Sequence, residues 1–463
     1  MTAMSKRRLG VLATVAAAAV LTIAVAAYVR HRCDARRLAE QVAALDAADP
    51  HWRLDDLVAS LRTTPLPDDE NLCNKLAEAS AALGPYVSRY QERCELMAAL
   101  SPNVRLAPDQ WRFVIAGVEA NEDAIAAVFQ FERYPRGRHA DSYPGGGYDT
   151  ANRSCNPGTD VRTGLLHDLF LTTVQRGDWA AALSLVRGDL NVGRSYRDEP
   201  LIPTQRFRTY LRKDAVRGLE RLLGHAELTD AQLTDLRREF ATELADDLMQ
   251  LSARGELALA DRIAEMTRRG EFPASVFRRA SQGLTAPTGT SDKVRDWVVD
   301  QVGVVAVGDH ADVLTDAWQA VEAIRRPWPE RWRAVQVLMP PRNCRHWRLG
   351  LMPLIDASRF ARDEARVRCA LAAIAAERYR LAHGGWPAAL ADLGPLPGDP
   401  FAAGPLRYRR TADGVEIYVP TPDYDDMSQD WIDPPVGGLT RKTGIGFHLY
   451  DPTHRNRKPG ATP

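Results

Sequence analysis

The sequence predicts a mainly helical protein. It begins with an N-terminal transmembrane helix, continues as a multi-helix body of helical hairpins, TPR-like in places, and ends in a small C-terminal α+β module with a long helix on an antiparallel sheet. Three observations predict this. Leu9 to Val29 is an apolar run without a charge. From Thr163 to Arg268, apolar residues recur at spacings of three and four, the helical period. After an Ala-rich helical stretch, Ser358 to His383, short segments alternate apolar and polar side chains, the period of strands.

The apolar run comes first. At about 1.5 Å per residue a helix of this length covers roughly 30 Å, the thickness of a bilayer core. Lys6, Arg7 and Arg8 precede it; Arg30 and Arg32 follow. A retained signal anchor fits its length. A signal peptide cleaved near Ala26 fits the A-x-A site Ala24-Val25-Ala26, although the run is long for such a peptide. A buried soluble helix seldom needs so many uncharged residues. Arg30, Arg32, Arg36 and Arg37 keep the positive-inside count from setting the orientation, but long following domains translocate largely regardless of flanking charge. A short basic start before an apolar run is the arrangement for export. The expectation is a cytoplasmic N-terminus and an extracytoplasmic body, or a secreted body after cleavage.

The remaining chain has room for several domains in its 463 residues. The reading divides it into 1–32 (anchor), 33–134 (helical block), 135–162 (Gly/Pro-rich loop), 163–340 (helical body), 341–452 (α+β module) and 453–463 (disordered tail). Sixty basic and sixty acidic residues balance, so no basic excess marks a nucleic-acid binder. The apolar share, 45%, suits a folded body. Six cysteines occur without a C-x-x-C, so neither a zinc knuckle nor a thioredoxin-type site is indicated. Cys73 and Cys94 stand almost equally far from Gly84-Pro85. If that break is a helical turn, they face each other and can bridge in an oxidising compartment; otherwise they are two buried thiols. Cys33 sits beside the membrane.

In order along the chain, Asp34 to Leu45 continues the first helix. Pro50 ends it, and Leu54, Leu57, Val58 and Leu61 give the next helix an apolar face. Asp68, Asp69 and Glu70 open another at its positive dipole end. Trp111 to Phe131 reads as a further helix. Pro135 to Asp160 has turn composition and no period, hence a long loop; Gly145-Gly146-Gly147 within it lacks the flanking strand and Lys-Ser/Thr of a phosphate cradle. Leu165, Leu166, Leu169, Phe170 and Val174, a turn at Gly177-Asp178, then Trp179, Leu183, Val186 and Leu190 form a helical hairpin, with no fixed repeat period. Phe207, Leu211, Ala215 and Leu222 mark a third helix. Thr229 to Gln232 is a capping box, opening one long helix from Leu233 to Leu251. Val313 to Ile324 is amphipathic, and Pro327, Trp328, Pro329 and Trp332 after it read as a wedge between helices, with an exposed aromatic patch for a ligand as the alternative.

In the last module, Ala361, Ala365, Cys369, Ala373 and Ala376 form a stripe of small side chains. Gly384-Gly385 caps the helix and Pro387 stops it. Leu406 and Tyr408 alternate with Arg407 and Arg409. Asp413-Gly414 turns the chain, and Val415, Ile417 and Val419 alternate with Glu416 and Tyr418. Ile445, Phe447 and Leu449 alternate again. The run Ala375 to Pro387, with Leu390, Leu393, Asp399-Pro400-Phe401, Pro405 to Tyr408 and Pro422-Asp423, resembles the globular end of major type II secretion pseudopilins over about the last fifth of the chain. The full chain resembles a group of membrane-anchored, planctomycete-type exported proteins with no established activity, through Asp49 to Leu54, Pro67 to Asn71, Pro327 to Arg331, this module and Gly446 to Pro452. The first resemblance implies a helix-on-sheet fold and a calcium loop at Asp423, Asp425 and Asp426, with Asp430 and Asp433 nearby; hard oxygen donors suit that ion, and a solvated acidic loop is the alternative. It departs from pseudopilins at the N-terminus, where Leu9 to Val29 has neither their Gly-Phe-Thr-Leu start nor their early Glu.

No reaction is legible. The chain has ten histidines and no H-E-x-x-H, G-x-S-x-G or Walker loop. His167-Asp168 reads as a solvated pair, His310 and Asp312 as a helix start. Apart from calcium, no cofactor is implied. The expectation is a membrane-tethered interaction or scaffold protein of the cell envelope, a binder rather than an enzyme, with unidentified protein partners and no nucleic acid. The alternatives are an accessory component of a type II secretion or pilus-like system and an exported hydrolase with an unrecognised site.

Overall fold

Helix accounts for most of the backbone in the computed structural model, with one small sheet near the C-terminus. The structure describes residues 3–83, 101–139, 161–275, 290–302, 307–338, 356–420 and 444–460. The chain forms two compact units. Met1–Ser60 and Ala253–Glu322 lie in the first; Leu61–Ser252, Ala323–Met339 and Pro353–Pro463 make up the second.

Helix α1 (Ala3–Ala48) runs unbroken. From Val11 to Val29 its large apolar side chains are exposed, whereas Leu38 and Leu45 are buried. The second half of α1 therefore packs against the rest of its unit, whereas the first half leaves its side chains exposed. Polar ties fix the chain beyond it. The Trp52 indole donates to Asp46 Oδ1 at 2.8 Å, and the Arg254 guanidinium grips the Asp49 carboxylate through bonds of 2.7 and 2.8 Å. Helix α2 spans Leu54–Leu61.

In the second unit, α3 (Leu72–Ala81), α4 (Pro108–Glu119) and α5 (Glu122–Val128) precede a helical hairpin, α6 (Leu166–Arg176) and α7 (Trp179–Arg194). The single helix expected over Trp111 to Phe131 is thus two, broken at Ala120-Asn121. The hairpin turn is as expected: Gly177 has φ +78°, which glycine tolerates without penalty, and Asp178 accepts from the Ala181 amide at 3.1 Å. Helix α8 (Ile202–His225) packs on α7. Thr229 and Gln232 form the capping box that opens α9 (Asp230–Ala245).

The long helix read from Leu233 to Leu251 stops at Asp246, and α10 (Leu248–Arg268) begins anew. The cause is two adjacent aspartates. Asp246 turns extended and gives its carboxylate to Arg197 and Arg208, while Asp247 accepts from the Gln250 amide at 3.0 Å and starts the next helix. Helices α11 (Thr290–Val302), α12 (Val307–Ile324) and α13 (Glu330–Leu338) follow. Trp332 of α13 is buried edge-on against Phe401, their ring centroids 5.1 Å apart, so this Trp does wedge elements together.

Helix α14 (Ala357–His383) is the centre of the second unit. It packs on α8, α9 and the sheet, and its whole stripe of small side chains is buried. The sheet is an antiparallel meander, β1 (Arg407–Arg410), β2 (Gly414–Val419), β3 (Ile445–Tyr450), in that spatial order. Val415 pairs with Leu449 and Ile417 with Phe447. On the other face Glu416 and His448 are also buried, contrary to a plain apolar-in, polar-out alternation. Arg409, cross-strand from Glu416, donates to it at 2.5 Å and makes that burial tolerable.

A disordered tail from 453 is not what the structure shows for residues 453–460. Asn456 donates to Gly224 O, Arg457 to Asn103 O, and Arg457 O accepts from Arg105. Arg455, its side chain only 5% exposed, meets both carboxylate oxygens of buried Glu377 at 2.9 Å.

Candidate functional site

Two places in the second unit collect charge away from water. The first is a junction of α7, α8, α9 and α14. Glu243 is wholly buried. Arg194 Nε lies 2.6 Å from its Oε1, Arg208 Nη2 3.0 Å from its Oε2 and Arg212 Nε 3.8 Å away. Burial alone would raise its pKa; the guanidiniums of Arg208, Arg212 and Arg194 reverse this and hold it at about 2. Arg212 also reaches Asp363 at 3.1 Å. There burial outweighs the arginine, and the Asp363 carboxyl is raised to about 6. The helix period alone explains how α8 supplies two of these groups: Arg208 and Arg212 are four apart on one face.

The second place is a cavity lined by His167, Phe170, Val186, Asp189, Asp214, Arg217 and Gly218, from α6, α7 and α8. It is small, about 10 Å³, the scale of one water molecule. His167 Nε2 is 3.6 Å from Asp214 Oδ2. Asp189 is buried, and its Oδ1 has no hydrogen-bond partner among the described residues. Burial, with the nearby Asp214 charge adding to it, raises its pKa well above the ordinary aspartate value. What this arrangement can do is favour the protonated form of Asp189 in a cavity it shares with His167 and Asp214.

The expectation of a solvated His167-Asp168 pair fails. Asp168 is buried, and His167, half-buried, turns instead to Asp214 on the neighbouring helix. His310 is not a cap: it lies within α12, buried, with Nε2 2.8 Å from Asp261 Oδ1. Asp312 pairs with Arg37 at 2.9 Å. Asp68, Asp69 and Glu70 form an exposed single turn. The calcium positions Asp423, Asp425 and Asp426, with Asp430 and Asp433, lie outside the described residues, as do Gly145 to Gly147. Cys73 is half-buried on α3, and Cys94, its proposed disulfide partner, is likewise outside. Among the described residues no group of three or more His, Cys, Asp or Glu side chains is arranged to hold a metal ion. Burial pushes the Cys369 thiol well up, so it is no nucleophile.

Sequence reasoning missed Asp189, Asp214, Glu220, Glu243 and Glu377. One signal was present: Asp189 stands three residues after Val186 and one before Leu190, both on the stripe read as buried. An acid beside that stripe asks for a partner.

Fold and geometry together define a mainly helical protein with one N-terminal helix long and apolar enough to cross a membrane. Compared with family models, curated proteins and solved structures, the chain matches none.

Proposed function

We propose that this chain is a membrane-tethered, non-catalytic interaction or scaffold protein of the cell envelope. Helix α1 spans the bilayer with its N-terminus cytoplasmic, and the helical body is extracytoplasmic. One observation carries the reading: the apolar stretch of α1 has a mean hydropathy of 2.3 and none of it is buried. Soluble folds cover such a surface, and a bilayer is the medium that leaves it without cost. The interaction role draws support from the second unit, where buried charge is spent on joining helices: Glu243 ties α7, α8 and α9, and Glu377 ties α14 to the tail. Rigid helical platforms of this kind present surfaces rather than clefts.

Cell fractionation tests the tether. The full-length chain is expected in the membrane fraction, resistant to alkaline carbonate, released by detergent, and digested by protease added outside the inner membrane. Recovery as a freely soluble cytoplasmic protein would overturn it. Crosslinking in intact cells tests the scaffold role, and the absence of any reproducible envelope neighbour would refute it. The placement of α14 on a three-stranded antiparallel meander supports a second reading, an accessory component of a type II secretion or pilus-like machine. Secretion components among the crosslinked neighbours would favour that reading.

A further inference from the structure

We infer that α11 is an interfacial helix whose outward apolar face rests in the lipid headgroup layer beside α1. Val294 and Trp297, one turn apart, are 55% and 63% exposed, whereas Asp296 is only 6% exposed. At 3.6 residues per turn, Asp296 stands about 160° around the helix from Val294. A helix bordered by water buries its apolar stripe and shows its charges. Here Val294 and Trp297 face outward beside the exposed Lys293 and Arg295 while Asp296 is turned in, and two large apolar side chains on the surface cost least where the medium outside them is itself partly apolar.

The chain places that face near lipid. Five residues after α11 ends, α12 begins, and its first turns are fastened to α1. Arg37 donates to Gly308 O at 3.1 Å and pairs with Asp312 at 2.9 Å. Gly308 lies so close that a Cβ there would stand 2.8 Å from Asp34 Oδ2. Asp34 is five residues beyond Val29, roughly 7 Å past the apolar stretch, which is about the depth of a headgroup layer. The five residue steps from Val302 to Val307 reach at most about 17 Å. The end of α11 is thus tethered within about 17 Å of the turn at Val307 that is fastened to α1. Trp is the side chain best suited to that layer. The exposed Lys293 can extend its stem along the surface while its ammonium meets phosphate.

The inference rests on the membrane-spanning reading of α1, and one experiment separates the two. A photoreactive benzophenone side chain is placed at position 297, 295 or 20 of the full-length chain. The proteins are reconstituted in phosphatidylethanolamine–phosphatidylglycerol vesicles and irradiated, and adducts are identified by mass. Lipid adducts at 20 and at 297, several-fold more abundant at 297 than at 295, support the inference. Lipid adducts at 20 with none at 297, or with only protein adducts there, overturn it and leave the tether standing. Absence of lipid adducts at 20 and 297 alike overturns both.

Discussion

Replacing Glu243 by Gln should cost the second unit about 3–5 kcal/mol at pH 7, as expected when one partner of a buried ion pair is removed. The structure supplies the terms. Arg208 has no exposed surface, and without Glu243 its remaining partner is Asp246, at 2.5 Å. The carboxyl is depressed from 4.5 to about 2, and a shift of that size corresponds to roughly 3 kcal/mol of stability held by the ionised form. The sign follows from the depression. The contribution is complete above pH 4.5 and is lost as pH falls through about 2, where the native carboxylate takes up its proton. Urea titrations of the detergent-solubilised full chain, followed by near-ultraviolet circular dichroism, should show a full gap between wild type and E243Q at pH 7 that narrows below pH 4. Glu243→Leu combined with Arg208→Met should recover only part of the loss, because Arg212 keeps Asp363 and Asp246 keeps Arg197 while Arg194 still loses its carboxylate. A gap under about 0.5 kcal/mol at pH 7, or one that persists unchanged to pH 2, would refute the ionic account.

Three further predictions follow from single contacts. Burial raises Glu220 to about 7 against the His448 amide that it accepts from at 2.7 Å. A raised acid costs stability as pH climbs from its unfolded value through 7, so E220Q should be more stable than wild type at pH 8, by roughly 3 kcal/mol, and indistinguishable at pH 4; equal stability at pH 8 would contradict this. Arg455→Ala removes one of the guanidiniums on Glu377 and the donors to Tyr450 O and Ala226 O; a loss of about 3 kcal/mol and faster amide exchange in β3 are expected, whereas a neutral outcome would restore a disordered tail. Gly414→Ala would set a Cβ 2.0 Å from Leu449 O. Forced separation of β2 from β3 should lower stability by about 2 kcal/mol or more, visible as an earlier thermal transition, and an unchanged melting curve would show that the turn relaxes.

Local features were legible from residues close together in the chain. The uncharged run Leu9 to Val29, the glycine at 177 followed by a capping aspartate, the Thr229–Gln232 box and the Asp413-Gly414 turn each depend on neighbours within a few positions, so spacing and side-chain chemistry suffice to read them. The Ala stripe of α14 likewise announced a helix closely packed on other elements. The break between α9 and α10 was not legible, because Asp246 and Asp247 fit a helix equally well until Arg197, Arg208 and Arg331 claim their carboxylates.

The same reason separates what the sequence determines by itself from what only tertiary structure decides. Hydrophobicity and period set the membrane-capable helix, the helical hairpins and the alternating strands, since each is a property of one segment and its solvent. Which charges go inside is decided by distant partners: Glu220 is 228 residues from the amide it accepts, and Arg455 is 78 from the carboxylate it neutralises. A buried charge is stable only where such a partner arrives, and no local pattern tells where the chain will bring one.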